Sequence, residues 1–271
     1  MKKTKLLKTV FFSSAVLLFS YACEKLQQEK VDTETQSAVD NAIAEGSFTS
    51  IFPVVNEIGV NDDGVEKTSI MTDTNCYSVT HYNKDSVIID YKNGCVDELG
   101  RLRKGIIKAV FVGRWKDIGS TIVVTFRDFE IDLLKYEGQV VFSRDGMYKY
   151  SRKIQGGRLI NPNWTVLYEG KQTLEQIAGF STDSVIKDTL NSDNIYRYTG
   201  STSGTNRKGL KYTSEITVPL IKKENCNYIE SGIYQITPDS FPSRVVNFGN
   251  GVCDSKATVT INGKVYDFDL K

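Results

Sequence analysis

The chain has 271 residues, 40% hydrophobic and 25% charged, with 14 tyrosines, 13 phenylalanines and only 5 prolines. That composition excludes a disordered chain and is enough to bury a sizeable core. A formal net charge of +1, from 34 basic and 33 acidic residues, supplies no basic field for nucleic acid.

The chain opens on a leader. Residues 1–22 join a basic head, Met1-Lys2-Lys3-Thr4-Lys5-Leu6-Leu7-Lys8, to an apolar run from Thr9 to Ala22. This is the pattern of a signal peptide, too short to remain as a spanning helix. The run ends Phe19-Ser20-Tyr21-Ala22-Cys23 and resembles a bacterial lipobox, with Ala22 before the cut and Cys23 as the lipidated new N-terminus. Ser20 and Tyr21 depart from the usual leucine and small residue, so a plain secretory signal is the alternative. Assigning Cys23 to a thioether leaves four of the five cysteines, an even set. Losing the leader's four lysines leaves 30 basic against 33 acidic residues, so membrane attachment would rest on acyl chains, palmitate among them, and not on charge. Residues 23–35 read as the anchor and a polar tether.

Residues 36–60 carry the one good helical pattern. Val39, Ala42, Ile43, Ile51, Phe52, Val55 and Ile58 recur at three- and four-residue spacing, interrupted near Gly46-Ser47 and at Pro53. Two short helical pieces are expected, with one apolar face on the sheet that follows. Asn61-Asp62-Asp63-Gly64 reads as a turn and lacks the spaced carboxylates of a calcium loop.

From 66 to 271 the pattern is of period two. Alternating or β-branched segments run over 76–81, 86–91, 105–115, 121–135, 139–142, 147–153, 164–168, 195–200, 210–220, 228–236, 244–248, 257–261 and 265–270. Gly119-Ser120, Tyr136-Glu137-Gly138, Asp145-Gly146, Gly156-Gly157 and Asn262-Gly263 read as the turns between them. Short loops between close strands predict an all-β antiparallel meander of about 11–13 strands by the usual strand spacing. So many strands should coil strongly, into an open barrel or two layers. The stretch 173–192 is the least regular and reads as a short helix or a long loop.

Two cysteine corners bracket this domain. Val87-Ile88-Ile89 precedes Asn93-Gly94-Cys95, and Val245-Val246 precedes Asn250-Gly251-Val252-Cys253; each corner has one earlier cysteine, Cys76 and Cys226. Among the three pairings that four cysteines allow, the repeat favours Cys76 with Cys95 and Cys226 with Cys253. Four buried thiols are the alternative. Arg103-Lys104-Gly105-Ile106 and Arg207-Lys208-Gly209-Leu210 form a second internal echo.

Asp90-Tyr91-Lys92-Asn93-Gly94-Cys95, Gly100-Arg101-Leu102-Arg103-Lys104-Gly105 and the stretch from Asn250 to Lys264 resemble a family of Bacteroidota envelope lipoproteins with two Asn-Gly-(x)-Cys corners. The resemblance implies an outer-membrane lipoprotein, on the periplasmic or the surface face, and carries no catalytic or ligand residue. It also implies O-glycosylation at Asp-Ser/Thr-aliphatic sites, which places Ser86, Ser184 and Thr189 as acceptors.

The chemistry is sparse. His81 is the single histidine; there is no Gly-x-Ser-x-Gly elbow, Cys-x-x-Cys pair or phosphate-cradling loop, and no metal or cofactor is expected. Asp128, Glu130 and Asp132 read as a solvated face opposite Phe129, Ile131 and Leu133. Trp115, Trp164, Tyr148, Tyr150, Tyr196 and Tyr198 are the candidates for lining a concave face that takes a glycan or an acyl chain, with Tyr148 sharing a face with Tyr150 and Tyr196 with Tyr198. The expected function is a lipid-anchored envelope protein with a non-catalytic binding or structural β-domain. Its rivals are a tethered carrier of acyl chains or lipoproteins and a carboxylate-dependent glycan hydrolase.

Overall fold

The computed structural model describes residues 32–61, 76–82, 85–180 and 193–271. The leader, Cys23, Ser184, Thr189 and most of the Asn61–Gly64 turn lie outside the described residues.

Two helices, α1 (Gln36–Thr49) and α2 (Phe52–Asn61), precede the strands. These are β1 (Ser78–Tyr82), β2 (Ser86–Asp90), β3 (Cys95–Val96), β4 (Leu102–Val112), β5 (Thr121–Ile131), β6 (Leu134–Arg144) and β7 (Lys149–Asn161). They continue as β8 (Trp164–Ala178), β9 (Ile195–Thr205), β10 (Lys211–Lys223), β11 (Ser231–Pro238), β12 (Arg244–Asn250), β13 (Lys256–Ile261) and β14 (Lys264–Asp269). All fourteen belong to one antiparallel sheet in sequence order, with two-residue β3 pairing beside β4. The meander is therefore as expected, and β1 and β14 remain as edges, so the sheet does not close into a barrel.

Several breaks expected between strands lie inside them. Gly138, at φ +100°, sits within β6 where the register slips between Glu137 and Gln139, and Gly156-Gly157 lies within β7 at the slip between Ile154 and Gly157. These glycines are β-bulges. They read as turns because a bulge and a turn need the same left-handed or sterically open backbone, while only a bulge lets the ladder resume. Conversely, the stretch 121–135 contains a turn at Asp132-Leu133, both at positive φ, without the usual Asn-Gly. Leu133 is consequently exposed, unlike Phe129 and Ile131. The first part of 173–192 is the end of β8, with Leu174 fully buried.

Gly105 shows what a bulge requires. It has φ +80° at the slip between Lys104 and Ile106, and a Cβ there would collide with the carbonyl oxygen of Asp128. Gly105→Ala is expected to cost about 2–4 kcal/mol from clash and left-handed strain. A lower urea midpoint at unchanged m-value is the measurement, and an unshifted midpoint would refute the tight crossing.

The two helices fill the inner face of the sheet. Phe48 stacks on Tyr168 and meets Tyr136 edge-on, both with centroids 5.6 Å away. Phe52 sits 5.1, 4.9 and 5.4 Å from Phe142, Tyr150 and Tyr196. Each fully buried phenylalanine contributes about 1.5–3 kcal/mol.

The apolar face is only half of how α1 docks. Ser37, Asn41, Glu45 and Thr49, spaced by four, form a second buried stripe that is polar throughout. Ser37 Oγ accepts from Asn206 Nδ2 at 3.0 Å, Asn41 Oδ1 from Thr202 Oγ1 at 2.9 Å, and Thr49 Oγ1 from Arg152 Nη1 at 3.0 Å. Glu45 Oε1 accepts from Arg152 Nη2 at 2.6 Å, and Oε2 accepts from Gln172 Nε2 at 2.7 Å and from the Tyr168 hydroxyl. Asp40 pairs with Arg207 at 2.5 Å. Upstream of α1, Asp32 accepts from Arg244 Nη2 on both carboxylate oxygens at 2.7 Å and from the Glu34 backbone N–H on Oδ1 at 3.0 Å. The last residues of the expected tether are thus docked on the domain.

Candidate functional site

The described cysteines stand in the two favoured pairs. Cys76–Cys95 and Cys226–Cys253 are disulfide-bonded, with Cα atoms 5.0 and 5.8 Å apart. Glu230 lies beside the second bridge but accepts from the Lys223 backbone N–H and Nζ, and the bonded sulfurs offer no thiolate to a metal.

After Cys95 the chain folds back on itself through Asp97. Its Oδ1 accepts the backbone N–H groups of Leu99 and Arg101 at 3.0 and 2.9 Å, and its Oδ2 accepts Arg101 Nε and Arg103 Nε at 2.9 and 2.7 Å. Burial works against the charged carboxyl of Asp97, but Arg101, by charge and hydrogen bonds, and then Arg103 hold its pKa below the usual range. The coil of the sheet brings this corner against the loop after β10, where Asn227 Nδ2 donates to Leu99 O at 2.9 Å.

Between them lies a cavity of about 990 Å³. Ser50, Pro53 and Glu57 form its helical floor; Tyr77, Tyr91, Arg101 and Arg103 line the corner side; Tyr196, Tyr198, Lys222 and Glu224 come from the far strands and their loop. The volume is at the upper end of ordinary ligand pockets. Burial pushes the Tyr77 phenol up to about 12, and burial followed by the Glu98 charge raises Glu57. Lys222 is 5% exposed, and its Nζ donates to the carbonyls of Lys223, at 2.8 Å, and Cys226. Burial first, then Arg101, lowers its pKa to about 7.

That displacement has a sign that can be checked. Between about 7 and the ordinary 10.5 the unfolded chain holds a proton that the folded chain has lost, so this group makes stability rise with pH across the window. Lys222→Met is expected to flatten the rise in Tm through that window. An unchanged slope would mean that the amine is solvated.

Of the six aromatic candidates, only Tyr196 and Tyr198 line the cavity. Trp115 is buried, donating Nε1–H to Asn56 Oδ1 at 2.9 Å and stacking on Tyr150, which is itself core. Trp164 lies under the Arg207 guanidinium, 4.0 Å from its ring centre. Tyr148 precedes β7, where alternation does not yet apply, so it does not share a face with Tyr150; it is exposed against Phe180, with centroids 4.5 Å apart. His81 stays on edge strand β1, and Ser86, at the start of β2, bonds Asp85 Oδ1 at 3.0 Å.

Arg101, Arg103, Lys222, Asp97 and Glu57 were not legible as a site. Their signal was the density of charge in Asp97-x-x-x-Arg101-x-Arg103 and a lysine on the inward register of β10 beside Leu220. A second, shallower groove of about 850 Å³ crosses the outer face and is lined by hydroxyl and charged side chains such as Ser201, Thr213, Lys171 and Glu215, with no aromatic ring. Comparison with protein-family models, curated proteins and solved structures finds no match for the chain.

Proposed function

We propose that this chain is a cell-envelope lipoprotein, moored to the outer membrane through Cys23, whose β-domain binds a small polar ligand of saccharide class without catalysis. The observation that carries the reading is the cavity under the first corner, where four tyrosines are interleaved with hydrogen-bonding and charged side chains. Sugars present apolar ring faces edged by hydroxyls, and aromatic faces with polar neighbours match that pattern. An acyl-chain carrier would need a continuous apolar groove along the inner face, and there α1 and α2 sit instead, held partly by polar bonds.

Full-length protein in detergent is the sample for calorimetric titration with an oligosaccharide panel. Saturable binding is expected, and Tyr77→Ala is expected to weaken it by about tenfold, the order of 1.4 kcal/mol. An absence of binding across neutral and acidic members would end this reading. For the anchor, Cys23→Ser is expected to move the protein from the membrane to the soluble fraction, and unchanged fractionation would count against lipidation.

Glu57 favours a second reading, since a raised carboxyl near Glu98 in one cavity is how a general acid is set up. Cleavage of a bound oligosaccharide, abolished in Glu57→Gln, would replace binding by hydrolysis.

A further inference from the structure

Of the side chains lining the cavity, Lys222 is the one whose surroundings do not suit a charge. It lies on the inward register of β10, opposite Tyr196 of β9 in the ladder and two residues beyond the fully buried Leu220. The side chain is almost wholly buried, and among the described residues no carboxylate forms an ion pair with it; Glu230 pairs with the neighbouring Lys223 instead.

The partners of Nζ are two main-chain carbonyls, those of Lys223 and Cys226. An ammonium has three N–H donors and no lone pair, whereas a neutral amine has two donors and one lone pair. Two carbonyls therefore match the amine, and its lone pair is left for what enters the cavity. The balance of charge agrees: burial, and after it Arg101, outweigh Glu230 and Glu224 and bring the pKa to about 7. A desolvated lysine amine is a nucleophile at neutral pH, and its characteristic partner is a carbonyl carbon. A saccharide offers one where its reducing end opens to the aldehyde.

Resting on the saccharide reading above, we infer that Lys222 is a covalent site, which holds a reducing saccharide by its open-chain aldehyde as a reversible imine. The Nζ lone pair attacks the aldehyde carbon, and a proton passes from nitrogen to the carbonyl oxygen to give a carbinolamine. The hydroxyl then leaves as water with the remaining nitrogen proton, and the C=N bond forms. Nothing is oxidised or reduced, and addition of water reverses the step.

The test treats the unaltered full-length protein, in detergent at neutral pH, with glycolaldehyde and cyanoborohydride, which reduces an imine to a stable amine. Peptide mapping then reads which lysines carry the adduct. Lys222 is expected to be labelled at least about tenfold faster than Lys135 and Lys256, whose exposed amines Asp128 and Asp269 hold as ammonium. Labelling of Lys222 no faster than of those two would overturn the covalent site and leave saccharide binding standing. The same trapping with each oligosaccharide of the panel and with its methyl glycoside, which cannot open, is expected to leave an adduct on Lys222 from the reducing form alone. Labelling by glycolaldehyde without any sugar adduct would overturn a saccharide as the captured aldehyde. If the panel also fails to bind in the calorimeter, the saccharide reading itself falls.

Discussion

Arg152→Ala is expected to destabilise the domain by about 3–5 kcal/mol, because it strands the Glu45 carboxylate between helix and sheet. At roughly 2–4 °C per kcal/mol for a domain of this size, Tm should fall by about 6–20 °C. The side chains of Arg152 and Glu45 are 0% and 2% exposed, so water cannot replace the lost partner. Tyr168 and Gln172 would still donate to Glu45, but neither carries charge. The double substitution Glu45→Met with Arg152→Met should recover most of the loss, since it removes both charges and keeps volume. Calorimetric unfolding of Glu45→Met, Arg152→Met and the pair completes the cycle; additive single effects would show that the pair is not coupled.

Removal of the disulfides has the next largest expected effect. On loop entropy, Cys76–Cys95 and Cys226–Cys253, which close 19 and 27 residues, contribute about 3 and 3.5 kcal/mol. Cys226→Ser with Cys253→Ser should therefore lower the denaturant midpoint slightly more than the first pair does. On the saccharide-binding proposal, removing the first pair should also weaken that binding, because Cys76 and the chain after Cys95 form one wall of the cavity. Non-reducing peptide mapping is expected to join Cys76 to Cys95, and a Cys76–Cys226 peptide would overturn the arrangement.

The meander was legible because alternation survives wherever one face of a strand is buried. Val87 and Ile89, or Val246 and Phe248, announce their face through spacing alone. Bulges were not legible: Gly138 and Gly156 resemble turn residues until the next strand's register is known. The polar half of α1 was hidden for a different reason. Asn41 and Glu45 lie off the apolar spacing of the helix, and only partners more than a hundred residues downstream, Thr202 and Arg152, make their burial favourable. The cavity was hidden likewise, since Arg101 and Lys222 become neighbours only through the coil of the sheet. Pairs of tyrosines two apart were informative when both lay within a strand, as Tyr196 and Tyr198 do, and misleading when one fell in the preceding turn.

The docking of α1 also fixes an order of events. The helix leaves the ribosome before any strand, yet Glu45, Asp40 and Asp32 must wait for Arg152, Arg207 and Arg244, which lie 107, 167 and 212 residues downstream. Hairpins can zip locally while synthesis continues, but a segment that must close such long loops joins late. Chains truncated before Arg244 should thus retain a protease-sensitive N-terminus, and the part made first is the part that settles last.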